Sequence, residues 1–349
     1  MADNETTPQD LDRYVRQMRY TPLGEAGQRK IASGRALICG CGALGSVLAN
    51  TLARAGVGLL RIVDRDFLEL NNLQRQVLYD EADVAAGLPK AIAAAEKLRK
   101  INSQIEIEPV VADVDHTNVL SLAEGMDVLI DGTDNFETRL LLNEASDKLG
   151  IPWVYGGCIG AEGQSMTILP GETPCLRSIM SEPPPPGTSP TCDTAGILGG
   201  IVNVVASIQA TEALKILSGN RQAVSRTLTV IDLWENRVRQ IQLESLTPGE
   251  ERSISQRENY PWLSGERGSH TAILCGRNSV QLGSTGEGVS LEALATKLAG
   301  VGEVTRNPFL LRLAVDDYRI TVFSDGRTIV GGTDDIAEAR SVHARYIGS

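Results

Sequence analysis

The chain is poor in aromatic residues, which make up 4% of 349, so its core must be built from aliphatic side chains. Histidines are scarce. The three present, at 116, 270 and 343, show no catalytic spacing, so no histidine-based mechanism follows. Positive charge is in deficit: a formal net charge of -11 argues against non-specific binding to nucleic acid or to an anionic membrane. No apolar run reaches the roughly 18 residues of a membrane span, and no membrane partner is expected. Residues 1–10 are polar and acidic, without the apolar segment of a secretory leader. The six cysteines stand apart at 39, 41, 158, 175, 192 and 275, and in this context predict a reducing, cytoplasmic location without disulfides.

What is present is 42% apolar and 22% charged, the balance of an ordinary globular protein, in a chain long enough for one large and one smaller domain. The segment Ala36-Leu-Ile-Cys-Gly-Cys-Gly-Ala-Leu-Gly45 is an apolar strand running into Gly40-x-Gly42-x-x-Gly45. A second apolar strand ends at Asp64, 19 positions after the last glycine. This is a dinucleotide fingerprint. The glycines let backbone approach phosphate, a helix starting near Ala43 aims its N–H groups there, and Asp64 holds a ribose hydroxyl. The run Asn71-Asn72-Leu-Gln-Arg75-Gln76 is what hydride transfer does not need, because it puts Arg75 where a triphosphate would lie. ATP chemistry is favoured over a nicotinamide cofactor.

Strands are expected near 35–39, 58–63, 105–111, 126–131 and 152–157, with helices near 43–55, 88–101 and 136–149. That alternation predicts an α/β fold, a Rossmann-like doubly wound and mostly parallel sheet. An antiparallel extension follows over 162–169, 226–233 and 237–242, with a long apolar helix from Ile197 to Leu217 between. The expected organisation is a tail at 1–9, opening to a helix capped at Thr7-Pro8, a main domain at 10–245, a linker at 246–268 and a small α+β domain at 269–349. Residues 170–195, with Pro183 to Pro186, form a loop long enough to be functional or mobile.

Several residues carry two readings. Arg75 and Lys90 are either a triphosphate clamp or surface charges. A lysine at a helix N-terminus opposes the dipole unless an anion sits beside it. Asp131 and Asp134 could ligate Mg²⁺, or Asp134 or Asn135 could cap the next helix. Cys192 ends the long loop beside a helix start, a place that favours a thiolate, or it has no chemistry at all. Arg16 has no local explanation. Cys175-Leu-Arg-Ser178 and Arg252-Ser-Ile-Ser255 lack the thiolate pairs a structural zinc site needs, so zinc is not expected.

These motifs, in this order over about residues 10–245, closely resemble the MoeB and ThiF adenylyltransferases, relatives of the ubiquitin-activating enzymes. The resemblance rests on Arg13-Tyr-x-Arg16-Gln17, the glycine motif, Asp64, Asn72 to Gln76 and Pro89-Lys90. Gly132-Thr-Asp134-Asn135, the proline loop, Thr191-Cys192 and Gln209-Ala-x-Glu212-Ala-x-Lys215 complete it. It implies AMP transfer from ATP to the C-terminal carboxylate of a small ubiquitin-like sulfur carrier ending in Gly-Gly. It implies that Arg75 and Lys90 hold phosphates and Asp134 binds Mg²⁺, while Asn72 and Gln76 line the pocket with Gly40, Gly42, Ala43 and Gly45. Arg16 would reach into a partner's site across a homodimer, and Cys192 would link to the carrier or take part in sulfur transfer.

The chain departs from the family at Ala43, where relatives often carry a second glycine, and at the missing zinc cysteines, so the 170–180 and 245–262 segments must be held by packing. Residues 269–349 resemble extensions on some bacterial thiazole-synthesis members, and their role is open. The alternatives are activation of another carboxylate, peptide or threonylcarbamoyl-tRNA, and an NAD-dependent oxidoreductase. The acidic charge disfavours a tRNA partner.

Overall fold

The structure, a computed structural model, describes residues 11–180, 182–183, 195–242, 260–267, 271–274, 278–283 and 288–347. The expected tail, the Thr7-Pro8 cap, Cys192 and residues 246–259 of the expected linker lie outside them. The chain divides into two units, Met1–Ser189 with Ile197–Arg267, and Pro190–Gly196 with Gly268–Ser349.

The first unit opens with α1 (Val15–Met18) and α2 (Gly24–Ser33). Strands and helices then alternate: β1 (Arg35–Cys39), α3 (Ala43–Ala55), β2 (Leu59–Val63), α4 (Glu81–Ala86), α5 (Lys90–Ile101), β3 (Glu106–Val110), α6 (Val119–Ala123), β4 (Val128–Asp131) and α7 (Phe136–Leu149). Next come β5 (Trp153–Ile159), β6 (Glu162–Ile168), α8 (Gly199–Leu217), β7 (Thr227–Asp232) and β8 (Arg237–Gln242). They form one eight-stranded sheet in the order β3-β2-β1-β4-β5-β6-β7-β8. The strands from β3 to β5 pair in parallel, and β6, β7 and β8 continue antiparallel.

The central parallel strands β1 and β4 are buried on both faces because helices cover both, while the edge strand β3 carries Glu106 and Glu108. One core layer joins the sheet to α3, α5 and α8, and the other joins it to α6 and α7. Helix α3 ends at Gly56, whose φ of +83° is the left-handed stop glycine adopts without strain. Chain order reverses between β1 and β4. A ligand crevice is expected there, beyond the carboxyl ends of the strands.

Helix α8 has the length and apolarity of a membrane span, 19 residues with a mean hydropathy of 1.3. It is instead a core helix: it packs on β5, β6 and α3 and buries Gln209 and Glu212. Helices α4 and α6 were not expected. Helix α4 is six residues long, too short for a periodic signal, and is fixed by a reciprocal cap between Asp80 and Asp83. The end of the expected linker is also different. Tyr260–Arg267 belongs to the first unit, with Trp262 buried in its core.

The second unit is an antiparallel sheet of β9 (Thr271–Leu274), β10 (Ser279–Leu282), β11 (Glu303–Arg306), β12 (Leu310–Val315), β13 (Tyr318–Phe323) and β14 (Thr328–Gly331). Its order is β11-β12-β13-β14-β10-β9. Helices α9 (Leu291–Leu298) and α10 (Ile336–Tyr346) contribute Leu294, Leu298, Ala339 and Val342 to its core.

Candidate active site

The glycine motif sits at the reversal point. Gly40 follows β1 with a φ of +85°. A Cβ on Gly45 would stand 1.9 Å from the Gly40 carbonyl oxygen, and one on Gly132, after β4, would stand 2.4 Å from the same atom. These three glycines let two strand ends and a helix start touch backbone to backbone. Gly42 differs. At its Cβ position the one atom within 4 Å among the described residues is Gln76 Nε2, at 3.8 Å. Gln76 is 3% exposed and its amide oxygen is buried with no hydrogen-bond partner. The turn thus has open space at Gly42 and, beside it, a buried side-chain amide whose oxygen is left to be satisfied. Ala43 begins α3 directly behind it.

Asp64, at the end of β2, is buried. Its oxygens accept the Cys41 N–H at 2.6 Å and the Asp66 N–H at 2.7 Å. Each keeps a further lone pair for a hydroxyl. Burial raises the pKa of Asp64, while the Lys90 charge and the two amides oppose the rise. Lys90 is no surface charge: it is 3% exposed and its Nζ lies 3.1 Å from Asp66 Oδ2. The anion a helix-start lysine requires is therefore supplied within the chain. Tyr79 ties the two loops together, donating its hydroxyl to the carbonyls of Cys41 and Lys90.

Arg75 is half-buried on the 70–76 turn and donates to the Asn71 carbonyl at 3.0 Å, with no ion pair among the described residues. Asn72 does not offer its side chain to a pocket. Its amide is buried and committed, accepting from the Glu69 N–H and donating to Asn71. It shapes the turn that carries Arg75. A Cβ on Gly199, at the start of α8, would lie 3.1 Å from the Gln74 carbonyl oxygen, so this turn also abuts that helix.

The turn after β4 separates the roles its residues could have played. Asn135 caps α7, its Oδ1 accepting the Thr138 N–H at 2.8 Å. Asp131 is not available to a metal. It is wholly buried, with Oδ1 bound by the Thr133 N–H and hydroxyl and Oδ2 by Arg139 Nε at 3.1 Å. Asp134 is exposed and makes no hydrogen bond or ion pair among the described residues, though it lies within electrostatic reach of Arg65 and Arg139. Burial works against the charge on Arg65, but Asp113 and Asp66 hold it protonated.

Arg16 lies away from this crevice. Its neighbour Tyr14 packs against Gly56 at the C-terminal end of α3. The glycine loop is at the other end of that 13-residue helix, about 20 Å away at 1.5 Å per residue. Arg16 itself is exposed and without a partner among the described residues.

Of the segments that lack zinc cysteines, the described residues 176–177 and 262–263 are fastened through α7. Asn143 Oδ1 accepts the Leu176 N–H at 2.8 Å, and Arg177 lies 3.7 Å from Glu144. Glu144 Oε2 accepts the N–H groups of Trp262 and Leu263 at 2.9 and 3.0 Å. Asp66, Arg139 and Glu144 were missed as organisers of this region, and Gln209, quoted as part of a motif, was given no role. Their signal in the sequence was only that polar residues interrupt otherwise apolar stretches.

The fold is that of a nucleotide-binding α/β enzyme, with an open glycine turn at the sheet's reversal point. The chain belongs to the ThiF family, whose model matches residues 14–251. It is 44% identical over 338 residues to the sulfur carrier protein ThiS adenylyltransferase of Bacillus subtilis, covering 96% of this chain and 99% of that protein. It is 43% identical over 225 residues to the SAMP-activating enzyme E1 of Haloferax volcanii, covering 64% of this chain and 82% of that one. A crystal structure of Escherichia coli MccB with ATP superimposes with a TM-score of 0.59 at 21% identity, covering 67% of this chain and 72% of that one, a likeness of fold.

Proposed function

We propose that this enzyme adenylylates the C-terminal carboxylate of a small ubiquitin-like sulfur carrier ending in Gly-Gly, for sulfur transfer in cofactor biosynthesis. The observation that carries the reading is the Gly42–Gln76 cradle in a chain that matches a ThiS adenylyltransferase along nearly its whole length. In the reaction a carboxylate oxygen of the carrier bonds to the α-phosphorus of ATP. The bond from that phosphorus to the bridging oxygen breaks, and pyrophosphate leaves with the electron pair. No proton has to move, because the carboxylate is already a nucleophile at neutral pH. Alignment and charge neutralisation suffice, which suits a site built without histidine.

Gly40, Gly42, Ala43 and Gly45 form the phosphate loop, and Asp64 accepts a ribose hydroxyl. Gln76 satisfies its orphaned amide on the nucleotide. Asn72 holds the turn that presents Arg75, and Arg75 and Lys90 offset charge as pyrophosphate departs. Among the described residues no three acidic, histidine or cysteine side chains converge as a ready-made metal cage. Magnesium does not need one, since it is held by one or two carboxylates together with substrate phosphates. Asp134 fits that part, and the ion would shield the phosphate charge from the incoming carboxylate. Arg16, remote from its own crevice and unpaired among the described residues, serves the partner's site in a homodimer. The Cys192 thiolate then attacks the carbonyl carbon of the acyl-adenylate, forming a thioester with the carrier as AMP leaves.

The test is ATP–pyrophosphate exchange with a Gly-Gly carrier, with the same carrier shortened by its last glycine, and with Asp134→Ala. Exchange should require the terminal glycine and Asp134. ATP binding without exchange on any such carrier would overturn the carrier assignment.

A further inference from the structure

Asp134 makes no hydrogen bond or ion pair of its own among the described residues, so the position of its carboxylate depends on the backbone of the 131–135 turn. That turn is fastened by the Gly132 N–H on the Cys39 carbonyl at 2.8 Å, by Thr133 on Asp131 and by the Asn135 cap, and Arg139 ties its strand end, its Thr133 carbonyl and β5 together. Arg139, 7% exposed on the first turns of α7, donates from Nε to Asp131 at 3.1 Å. Its Nη2 donates to the Thr133 carbonyl at 2.8 Å and to the Gly156 carbonyl on β5 at 3.2 Å. The guanidinium also lies over the rings of Phe136 and Tyr155, at 5.6 and 5.5 Å from their centroids. One planar fork thus joins the end of β4, the turn and the neighbouring strand. Gln209 also binds the Asp131 carbonyl, but it reaches the strand and not the turn.

Resting on the reading above, we infer that Arg139 is a positioning residue for magnesium-dependent nucleotide binding. It holds the turn so that Asp134 faces the nucleotide, and it keeps Asp131 neutralised and out of competition for the ion. A lysine preserves the charge but not the fork, which needs donors in two directions from one plane. Residues that orient a metal ligand from behind typically change metal affinity by about 10- to 100-fold when altered.

The test measures ATP affinity by calorimetry on the full chain, with Mg²⁺ and in EDTA, for wild type and Arg139→Lys. Wild type should bind ATP more tightly with Mg²⁺. In Arg139→Lys that gain should fall about tenfold or more, with affinity in EDTA unchanged. A second variant, Arg139→Met with Asp131→Asn, removes the buried charges together and keeps the test open if the lysine variant fails to fold. It should lose the same Mg²⁺ gain. An undiminished gain in the folded variants would overturn the inference, as would equal loss with and without Mg²⁺, which marks a merely structural arginine. A wild type that exchanges no pyrophosphate with any carrier, yet shows the Mg²⁺ gain and its loss in the variants, would remove the carrier reading and leave this one standing.

Discussion

Lys90 has a structural partner as well as a proposed catalytic task, and one substitution exposes both. In Lys90→Met the side chain keeps its approximate volume and loses its charge. Asp66, with 19% of its side chain exposed, loses the ammonium 3.1 Å away, and the buried Asp64 loses the charge that opposes its desolvation. Breaking a buried pair on one side costs about 3–5 kcal/mol. Arg65 Nε, 3.9 Å from Asp66 Oδ1, remains, so the low end, about 3 kcal/mol, is expected. The loss depends on pH. Asp64 already has a folded pKa above its unfolded value, so its ionised form is disfavoured in the folded state. The destabilisation should be largest above the folded pKa and fade as the pH falls and the carboxyl takes up its proton. Urea unfolding at pH 8 and pH 5 reads this directly. Pyrophosphate exchange in the variant should drop about 10²- to 10³-fold, the effect of removing one charge-stabilising donor. Adding Asp66→Asn separates the two roles: it should restore most of the stability and none of the exchange. Recovery of exchange to within about threefold of wild type in the double variant would refute a phosphate role and leave Lys90 as the counterion of Asp66.

Gly45→Ala should destabilise the first unit by about 3 kcal/mol, because its Cβ meets the Gly40 carbonyl at 1.9 Å; Gly300→Ala, with open space around it, is the control. A melting temperature for Gly45→Ala indistinguishable from the control would contradict the packing. Burial pushes the thiol of Cys41 up to about 12, and that of Cys39 higher still, so iodoacetamide at pH 8 should spare both, as read by peptide mass spectrometry. His343 is half-buried and held below the ordinary histidine value of about 6.5. Its contribution to stability should be complete above that value and lost as pH falls through its folded pKa, and an NMR titration at or above 6.5 would count against it. Mixing Arg16→Ala with Asp134→Ala should regain roughly a quarter of wild-type exchange, since half the dimers are mixed and each has one intact site. No regain after subunit exchange would place Arg16 outside the partner's site.

The regular elements were legible because their signals are local. Strands β1, β2, β4 and β5 are short apolar runs, and α3 and α7 are each closed by a following glycine in the left-handed region. Short polar elements were not legible: α4 is defined by a side-chain cap, and β11 is an exposed edge strand whose side chains alternate poorly. Tyr260–Arg267 was read as linker because it is polar and irregular. What fixes it is Glu144, more than a hundred positions earlier, which no local pattern reports.

The same distinction sorts the site. Gly40, Gly42, Gly45 and Asp64 were legible because phosphate loops use a fixed local spacing. Asp131 and Asp134 could not be told apart by local pattern, because both are acidic, three positions apart, at the same strand end, and only the family resemblance pointed to Asp134. Only the partners decide. Asp131 is bound on both oxygens and wholly buried, so it serves the scaffold, as Asp66, Asn72 and Glu144 do. Among the described residues Asp134 and Arg75 make no ion pair, and the Gln76 amide oxygen, beside the open Gly42, has no hydrogen-bond partner. A folded chain rarely leaves a buried amide such as that of Gln76 unsatisfied, because doing so costs about 1–3 kcal/mol. At this turn the orphaned Gln76 oxygen is the acceptor the proposed nucleotide would satisfy, while Asp131, bound on both oxygens, holds the neighbouring strand end in shape.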